Sequence, residues 1–268
     1  MIVDKIYEYL AAPEKIHDDS LKYEVEKLAG AAFRRQFMNS DESSSVGKLR
    51  LSSAGRCARQ LAYAYHGFEK KGKESDARSK LIFWTGDLVE MTIVALAKIS
   101  GCHIVSTGFN QIRVSLEVGN SIVEGHPDGL MIKNGVLYLV EVKSMSSYSF
   151  EKFEKGIIDD SYLAQVNTYM DALQVDKCIF VGLNKENGVL HEQILERNSA
   201  IVTESKVNLR AVMDSTPEKL PPQSFKPDKK GFLPWNCLYC AYWGLCWPQA
   251  EKVLVRNSYK LKAVKNGN

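Results

Sequence analysis

The sequence predicts an α/β domain built on a mixed sheet, and three observations predict it. Short apolar or alternating runs at 103–105, 111–116, 122–123, 130–132, 136–142 and 178–183 read as strands. Segments with apolar residues at helical spacing precede them and fall between them. Asn134-Gly135, flanked by two of the runs, is the strongest short hairpin signal a sequence can carry. Strands bracketed by helices imply a central sheet covered by helices. A chain of 268 residues, 45% apolar and 25% charged, suits one catalytic-size domain with extensions. No apolar stretch nears the roughly 20 residues of a membrane helix. Asp4, Lys5 and Glu8 leave no secretory leader at the amino terminus, so a cytoplasmic protein is expected.

The elements follow in order. Residues 1 to about 40 read as helix, with Ile6, Leu10, Leu21, Val25 and Leu28 on its apolar face and a break near Pro13. Residues 41–47 form a loop by composition. Ser52 and Ser53 offer an N-cap to a helix through Cys57, Arg59, Leu61 and Tyr65. A charged connector at 69–80 is expected to be mobile. Val89, Ile93 and Leu96 mark a buried helix over 81–99, entered near Gly86. After the hairpin, Leu163, Val166, Met170 and Leu173 stripe a helix over 162–173 that leads into the strand at 178–183. The net charge of +3 is small, but +6 of it lies from residue 221 onward and −3 elsewhere. A polyanion would meet that end first.

The hairpin carries the chemistry. With Asn134-Gly135 as a two-residue turn, Lys133 pairs with Val136 and Ile132 with Leu137. Counting outward places Asp128 opposite Glu141. Like charges so placed repel, and a divalent cation would remove the penalty. Lys143 shares a face with Glu141, while Val140 and Val142 point to the other side. Two acids and an ammonium therefore converge at one end of the hairpin. Hard oxygen ligands of this kind suit Mg²⁺ or Mn²⁺, which polarises a phosphoryl oxygen and acidifies water. Lys143 would orient that water or stabilise developing charge.

Six cysteines stand at 57, 102, 178, 237, 240 and 246. Cys102 and Cys178 lie beside apolar runs and are expected in the core. Cys237, Cys240 and Cys246 have the C-x2-C-x5-C spacing of three ligands from one loop, and Cys57 is the natural fourth. Four thiolates hold zinc or an iron–sulfur cluster equally well. Trp235, Tyr239, Tyr242, Trp243 and Trp247 crowd this loop and would give it a dry shell.

Pro127-Asp128 followed by Glu141-Val142-Lys143 resembles the signature of the PD-(D/E)xK nuclease superfamily, and Gly125-His-Pro-Asp128 matches the GxxD form of its RecB-like branch. Gly86-Asp-Leu-Val-Glu90 is similar to that branch's first motif, where a Glu or His supplies a metal ligand. Gln165-Val-Asn-Thr-Tyr169 is similar to its QxxxY motif. A lone cysteine before the core and three after it resembles the members that bear a [4Fe–4S] cluster: AddB-type helicase–nuclease subunits, small CRISPR-associated RecB-like exonucleases and stand-alone phage relatives.

The resemblance covers residues 51–248 and implies a PD-(D/E)xK core there, whereas the helical extension at 1–50 and the basic tail at 249–268 match none of its motifs. It implies a metal-dependent deoxyribonuclease, an exonuclease on single-stranded DNA or DNA ends. Glu90, Asp128, Glu141 and the Val142 carbonyl would bind Mg²⁺ or Mn²⁺, Lys143 would position or activate water, and Gln165 and Tyr169 would hold the substrate. Cys57, Cys237, Cys240 and Cys246 would carry a structural [4Fe–4S] cluster, stapling the segments around it. Aromatics near the cluster would stack unpaired bases and the tail would track phosphates. Two rival readings stand beside it: a non-catalytic nucleic-acid-binding module with a four-cysteine zinc site, and a nuclease subunit active only with a helicase or an integration or recombination partner.

Overall fold

The computed structural model describes residues 1–38, 46–72 and 77–263. The loop expected at 41–47 therefore falls mainly outside the described residues, as does part of the connector at 69–80. The elements in chain order are α1 (Ile2–Ala11), α2 (Asp19–Phe33), α3 (Ala58–Tyr65), α4 (Ala77–Ile99), β1 (Ile104–Val105), β2 (Val114–Val118), β3 (Ser121–Gly125), β4 (Gly129–Lys133), β5 (Val136–Met145), α5 (Ser147–Glu154), α6 (Asp160–Leu173), β6 (Lys177–Asn184), β7 (Leu190–Glu196), α7 (Ser199–Met213), α8 (Trp235–Leu238), α9 (Trp243–Cys246), β8 (Ala250–Val255) and β9 (Ser258–Ala263). They fall into two compact units. One comprises Met1–Glu42, Arg50–Gly55 and Arg78–Lys206, and the other Ser43–Leu49, Arg56–Ala77 and Val207–Asn268. No helix among the described residues is long and apolar enough to cross a membrane.

The first unit is built on a mixed five-stranded sheet in the order β1-β4-β5-β6-β7. Only the β5–β6 pair is parallel. A parallel pair needs a crossover, and α5 and α6 supply it. The β4–β5 hairpin has the expected register, from Lys133 opposite Val136 to Gly129 opposite Val140. Its turn forms because Asn134 and Gly135 both adopt positive φ, 51° and 75°, as the tightest hairpin requires. On one sheet face, Val140, Val142, Ile179 and Val181 join Ile2 and Ile6 of α1 and Ile93, Val94 and Ala97 of α4 in one buried cluster. α5 and α6 cover the other face, where Phe153 meets Phe180 at a ring separation of 5.4 Å. Cys102 and Cys178 are both buried, as their apolar neighbours suggest.

Several boundaries differ from the sequence reading. α2 starts at an Asp18 cap, whose side chain accepts from the Leu21 amide at 2.9 Å, and runs into a π-helical turn at Arg34–Met38. Leu10 is exposed, and Ile2, Val3 and Ile6 carry the buried face of α1. Ser53 does not cap α3: its hydroxyl donates to the Arg50 carbonyl at 2.7 Å and closes a 3₁₀ turn, while Cys57 takes the N-cap position. α4 begins at Ala77, so the last residues of the expected mobile connector are helical and Gly86 lies inside the helix.

In the second unit, Leu233, Cys237, Ala250 and Leu261 form a small core, against which Leu238, Trp243 and Trp247 pack. The basic segment expected as a tail folds here through residue 263. β8 and β9 pair from Ala250 opposite Ala263 to Val255 opposite Ser258, through a turn with Arg256 and Asn257 at positive φ.

Candidate active site and cysteine recess

The hairpin turn propagates outward to the acids. Gly129 opposite Val140 is the last rung of the β4–β5 ladder, so Asp128 stands one residue beyond it and level with Glu141. The freed Val142 amide donates to Asp128 Oδ2 at 2.8 Å, which fixes the aspartate across the strand end. Glu141 is fully buried at 0% exposure. Its Oε1 accepts from Lys143 Nζ and, at 2.7 Å, from Gln165 Nε2 of α6. Its Oε2 is buried and has no hydrogen-bond partner among the described residues.

The electrostatics follow from crowding acids in a dry place. Burial, and then the charges of Glu141 and Glu90, push the Asp128 carboxyl well above the usual carboxylate range. The Val142 amide and the Lys143 ammonium oppose this only in part. Burial alone would depress Lys143, but Glu141 and Asp128 outweigh it and hold the ammonium above its ordinary value. Lys143 is therefore a cation here, able to stabilise charge but poorly suited to accept a proton. Tyr169 is raised by burial and by the same two carboxylates. So is the Cys178 thiol.

The supporting residues come from α4 and α6. Glu90, on α4, acts electrostatically on Asp128, and its Oε1 accepts from Gln111 Nε2 at 3.1 Å. Gln165 and Tyr169, four apart, share the face of α6 turned to β5. Three further residues support the site, two of them outside the motifs and one the glycine of the GxxD segment. The ring of Tyr162 lies 5.4 Å from Lys143 Nζ, a spacing suited to cation–π attraction. Its place three residues before Gln165 put it on the same helix face, a signal the sequence did carry. Gln111 carried no such signal. Gly125 is the third: a Cβ there would lie 2.5 Å from Tyr169 Cε1 and 3.0 Å from Leu51 Cβ. The glycine of the GxxD segment thus makes room for the tyrosine of QxxxY.

Cys57, Cys237, Cys240 and Cys246 line one recess of the second unit, together with Tyr63 and Trp243 among others. Cys57 Sγ lies 3.3 Å from Ser224 Oγ, and the Tyr242 amide donates to Cys240 Sγ at 3.4 Å. Burial, then the neighbouring thiols, raise Cys237 to about 12 and, with the Tyr242 amide opposing, Cys240 to about 11. The segment at 71–72 interlocks with this loop. The Gly244 amide donates to the Lys71 carbonyl at 2.6 Å, and a Cβ on Gly72 would lie 2.5 Å from the Cys240 carbonyl oxygen. The five aromatics expected as a shell divide. Trp243 and Trp247 line the recess, and Tyr242 is buried and stacks on Tyr63 at 5.4 Å. Trp235 and Tyr239 face a different groove.

Among the described residues, no three His, Cys, Asp or Glu side chains are gathered tightly enough to form a ready-made metal cage. The donors nonetheless fit the groups their chemistry suggests. An unsatisfied buried carboxylate oxygen beside an aspartate raised by its acidic neighbours suits a hard divalent cation. Four thiols around an aromatic-lined recess suit a soft metal or a cluster.

No protein family matches the sequence, and no curated protein is significantly similar to it. Solved structures show partial likeness. The protein SSO0001 is 16% identical over 81% of this chain and 92% of its own, with a TM-score of 0.48. An alkaline exonuclease from Laribacter hongkongensis, LHK-Exo, is 16% identical over 70% of this chain and 90% of its own, with a TM-score of 0.43. The same exonuclease in complex with dAMP is 18% identical over 63% of this chain and 87% of its own, with a TM-score of 0.45. Likeness at this level carries no assignment of activity.

Proposed function

We propose that the protein is a metal-dependent deoxyribonuclease of the RecB-like, PD-(D/E)xK kind, acting as an exonuclease on single-stranded DNA or DNA ends. The observation that carries this reading is the environment of Glu141. It is a fully buried carboxylate with one oxygen shared by Lys143 and Gln165, the other without a partner among the described residues, and Asp128 fixed level with it across the strand end. A fold that leaves a buried carboxylate oxygen unsatisfied gives up roughly 1–3 kcal/mol, which a purely structural role would not explain.

Glu90, Asp128, Glu141 and the Val142 carbonyl would hold Mg²⁺ or Mn²⁺. Such an ion supplies positive charge to a phosphoryl oxygen and acidity to water. The protein's own part is positional. Gln165 and Lys143 fix Glu141, and the Lys143 ammonium sets a second positive charge where a phosphoryl group gains negative charge. Tyr169 packs against Gly125 and holds the Gln165 face of α6 in place. Cys57, Cys237, Cys240 and Cys246 would carry a structural [4Fe–4S] cluster without a redox role in cleavage.

The test is anaerobic purification with an iron count and absorption spectrum, then incubation with end-labelled single-stranded DNA with and without Mn²⁺. Brown protein that removes nucleotides only with Mn²⁺, and loses this with Asp128→Ala or Lys143→Ala while staying folded, supports the reading. Full activity in either variant would falsify the residue assignment. Colourless, zinc-bearing protein that binds but never cuts would favour a non-catalytic binding module.

A further inference from the structure

We propose that the groove between residues 232–239 and the β8–β9 hairpin is a binding site for an unpaired nucleic-acid strand, in which aromatic rings stack on bases and lysines meet phosphates. The groove has a volume of about 550 Å³, and Phe232, Trp235, Tyr239, Tyr259, Lys226 and Lys260 are among its lining residues. Trp235, Tyr239 and Tyr259 are 63%, 58% and 63% exposed. Large aromatics gathered in one exposed concavity mark an interaction surface, since burying each would otherwise favour folding by about 1.5–3 kcal/mol.

Charge selects the partner. Between residues 226 and 262 the chain carries seven Lys and Arg against two acids. One of those acids, Asp228, is committed to its own loop: its Oδ1 accepts from the Lys230 and Phe232 amides, both at 2.8 Å. Lys260 Nζ lies 5.3 Å from the ring centre of Phe232, so within the groove an ammonium group stands against an aromatic face, and Lys262, outside the lining, lies 6.0 Å from the same ring. Stacking rings interleaved with ammonium groups is how proteins hold single strands without reading sequence. A duplex keeps its bases stacked on one another and offers the rings nothing without unpairing.

This deepens the nuclease reading by naming what the second unit grips, yet it uses none of the carboxylates of the first. The experiment is fluorescence anisotropy of the full-length protein with a labelled 20-nucleotide oligo-dT in EDTA, beside the matching duplex and phosphatidylserine vesicles. Oligo-dT should bind more tightly than duplex or vesicles. Trp235→Ala and Tyr259→Ala should each weaken it about tenfold or more, whereas Tyr259→Phe should retain it. Lys226→Ala and Lys260→Ala should lower affinity and flatten its salt dependence. Aromatic substitutions without effect, or vesicle binding in place of oligo-dT binding, would overturn the proposal. Trp235-dependent binding by a protein that cuts nothing with Mn²⁺ would sink the nuclease reading and leave the groove standing. Mn²⁺-dependent cutting by a protein indifferent to Trp235→Ala would do the reverse.

Discussion

Gly125→Ala offers a test of the packing that aligns the QxxxY helix with the hairpin, and its sign is the informative part. At a strand position with room, replacing glycine by alanine stabilises a protein by about 0.4–1 kcal/mol through the unfolded chain. Here the new Cβ would lie 2.5 Å from Tyr169 Cε1, 3.0 Å from Leu51 Cβ and 3.2 Å from the Tyr169 hydroxyl. Tyr169 and Leu51 are 1% and 0% exposed, so neither can step aside into solvent. Overpacking of this kind costs about 1–3 kcal/mol. At roughly 2–4 °C per kcal/mol for a chain of this size, the melting temperature should fall by about 2–12 °C, read by circular dichroism in EDTA. In a Tyr169→Leu background the clashing ring edge is gone, and the same substitution should cost at least about 1 kcal/mol less, a coupling within the range contacting residues show. A Gly125→Ala protein as stable as wild type, or an undiminished penalty beside Tyr169→Leu, would refute the account of why this glycine is there.

Other outcomes are expected at the two sites. Mn²⁺ at a hundred times its dissociation constant should stabilise the wild type by about 2.7 kcal/mol and leave Asp128→Asn unmoved, a shift readable by melting without any substrate. In chelator, Asp128 binds its proton more tightly folded than unfolded. Stability should therefore fall as pH rises from the ordinary carboxylate range through its raised pKa, and Asp128→Asn should flatten that slope. Cys102 and Cys178, buried thiols with raised pKa values, should stay unalkylated by iodoacetamide at pH 8 until the protein unfolds, as mass spectrometry of the peptides would show. If the four cysteines carry the proposed cluster, Cys240→Ala should bind no iron and melt lower; an unchanged melt would remove the case for a structural cluster.

The hairpin was legible because two residues determine it. Asn134-Gly135 admits one tight turn, the turn sets the register, and the register places Asp128, Glu141 and Lys143 without further information. Cys57 could be nominated because few other thiols were free of apolar strands. Gly86 suggests a helix boundary in the sequence, yet it lies mid-helix, where even a Cβ would touch nothing among the described residues. The hairpin β8–β9 was hidden by its charges, since only Ala250 and Leu261 among its residues are buried. α5, β7 and α7 carry weak sequence signals, the first of them a short helix whose Ser146 cap precedes only eight residues. The division of the aromatics between recess and groove depends on how the loop at 235–247 folds back, which no periodicity records.

The order of the segments along the chain has a consequence for biosynthesis. Every strand of the five-stranded sheet lies within Arg78–Lys206, between the stretches Arg56–Ala77 and Val207–Asn268 that make up most of the second unit. Translation at about 5–20 residues per second delivers Cys246 roughly 190 residues, and some 10–40 seconds, after Cys57. The five-stranded sheet can finish folding on the ribosome while the first thiol waits for its three companions. A metal or cluster bound by the four cysteines would then be loaded late, after the residues of the five-stranded sheet have been made.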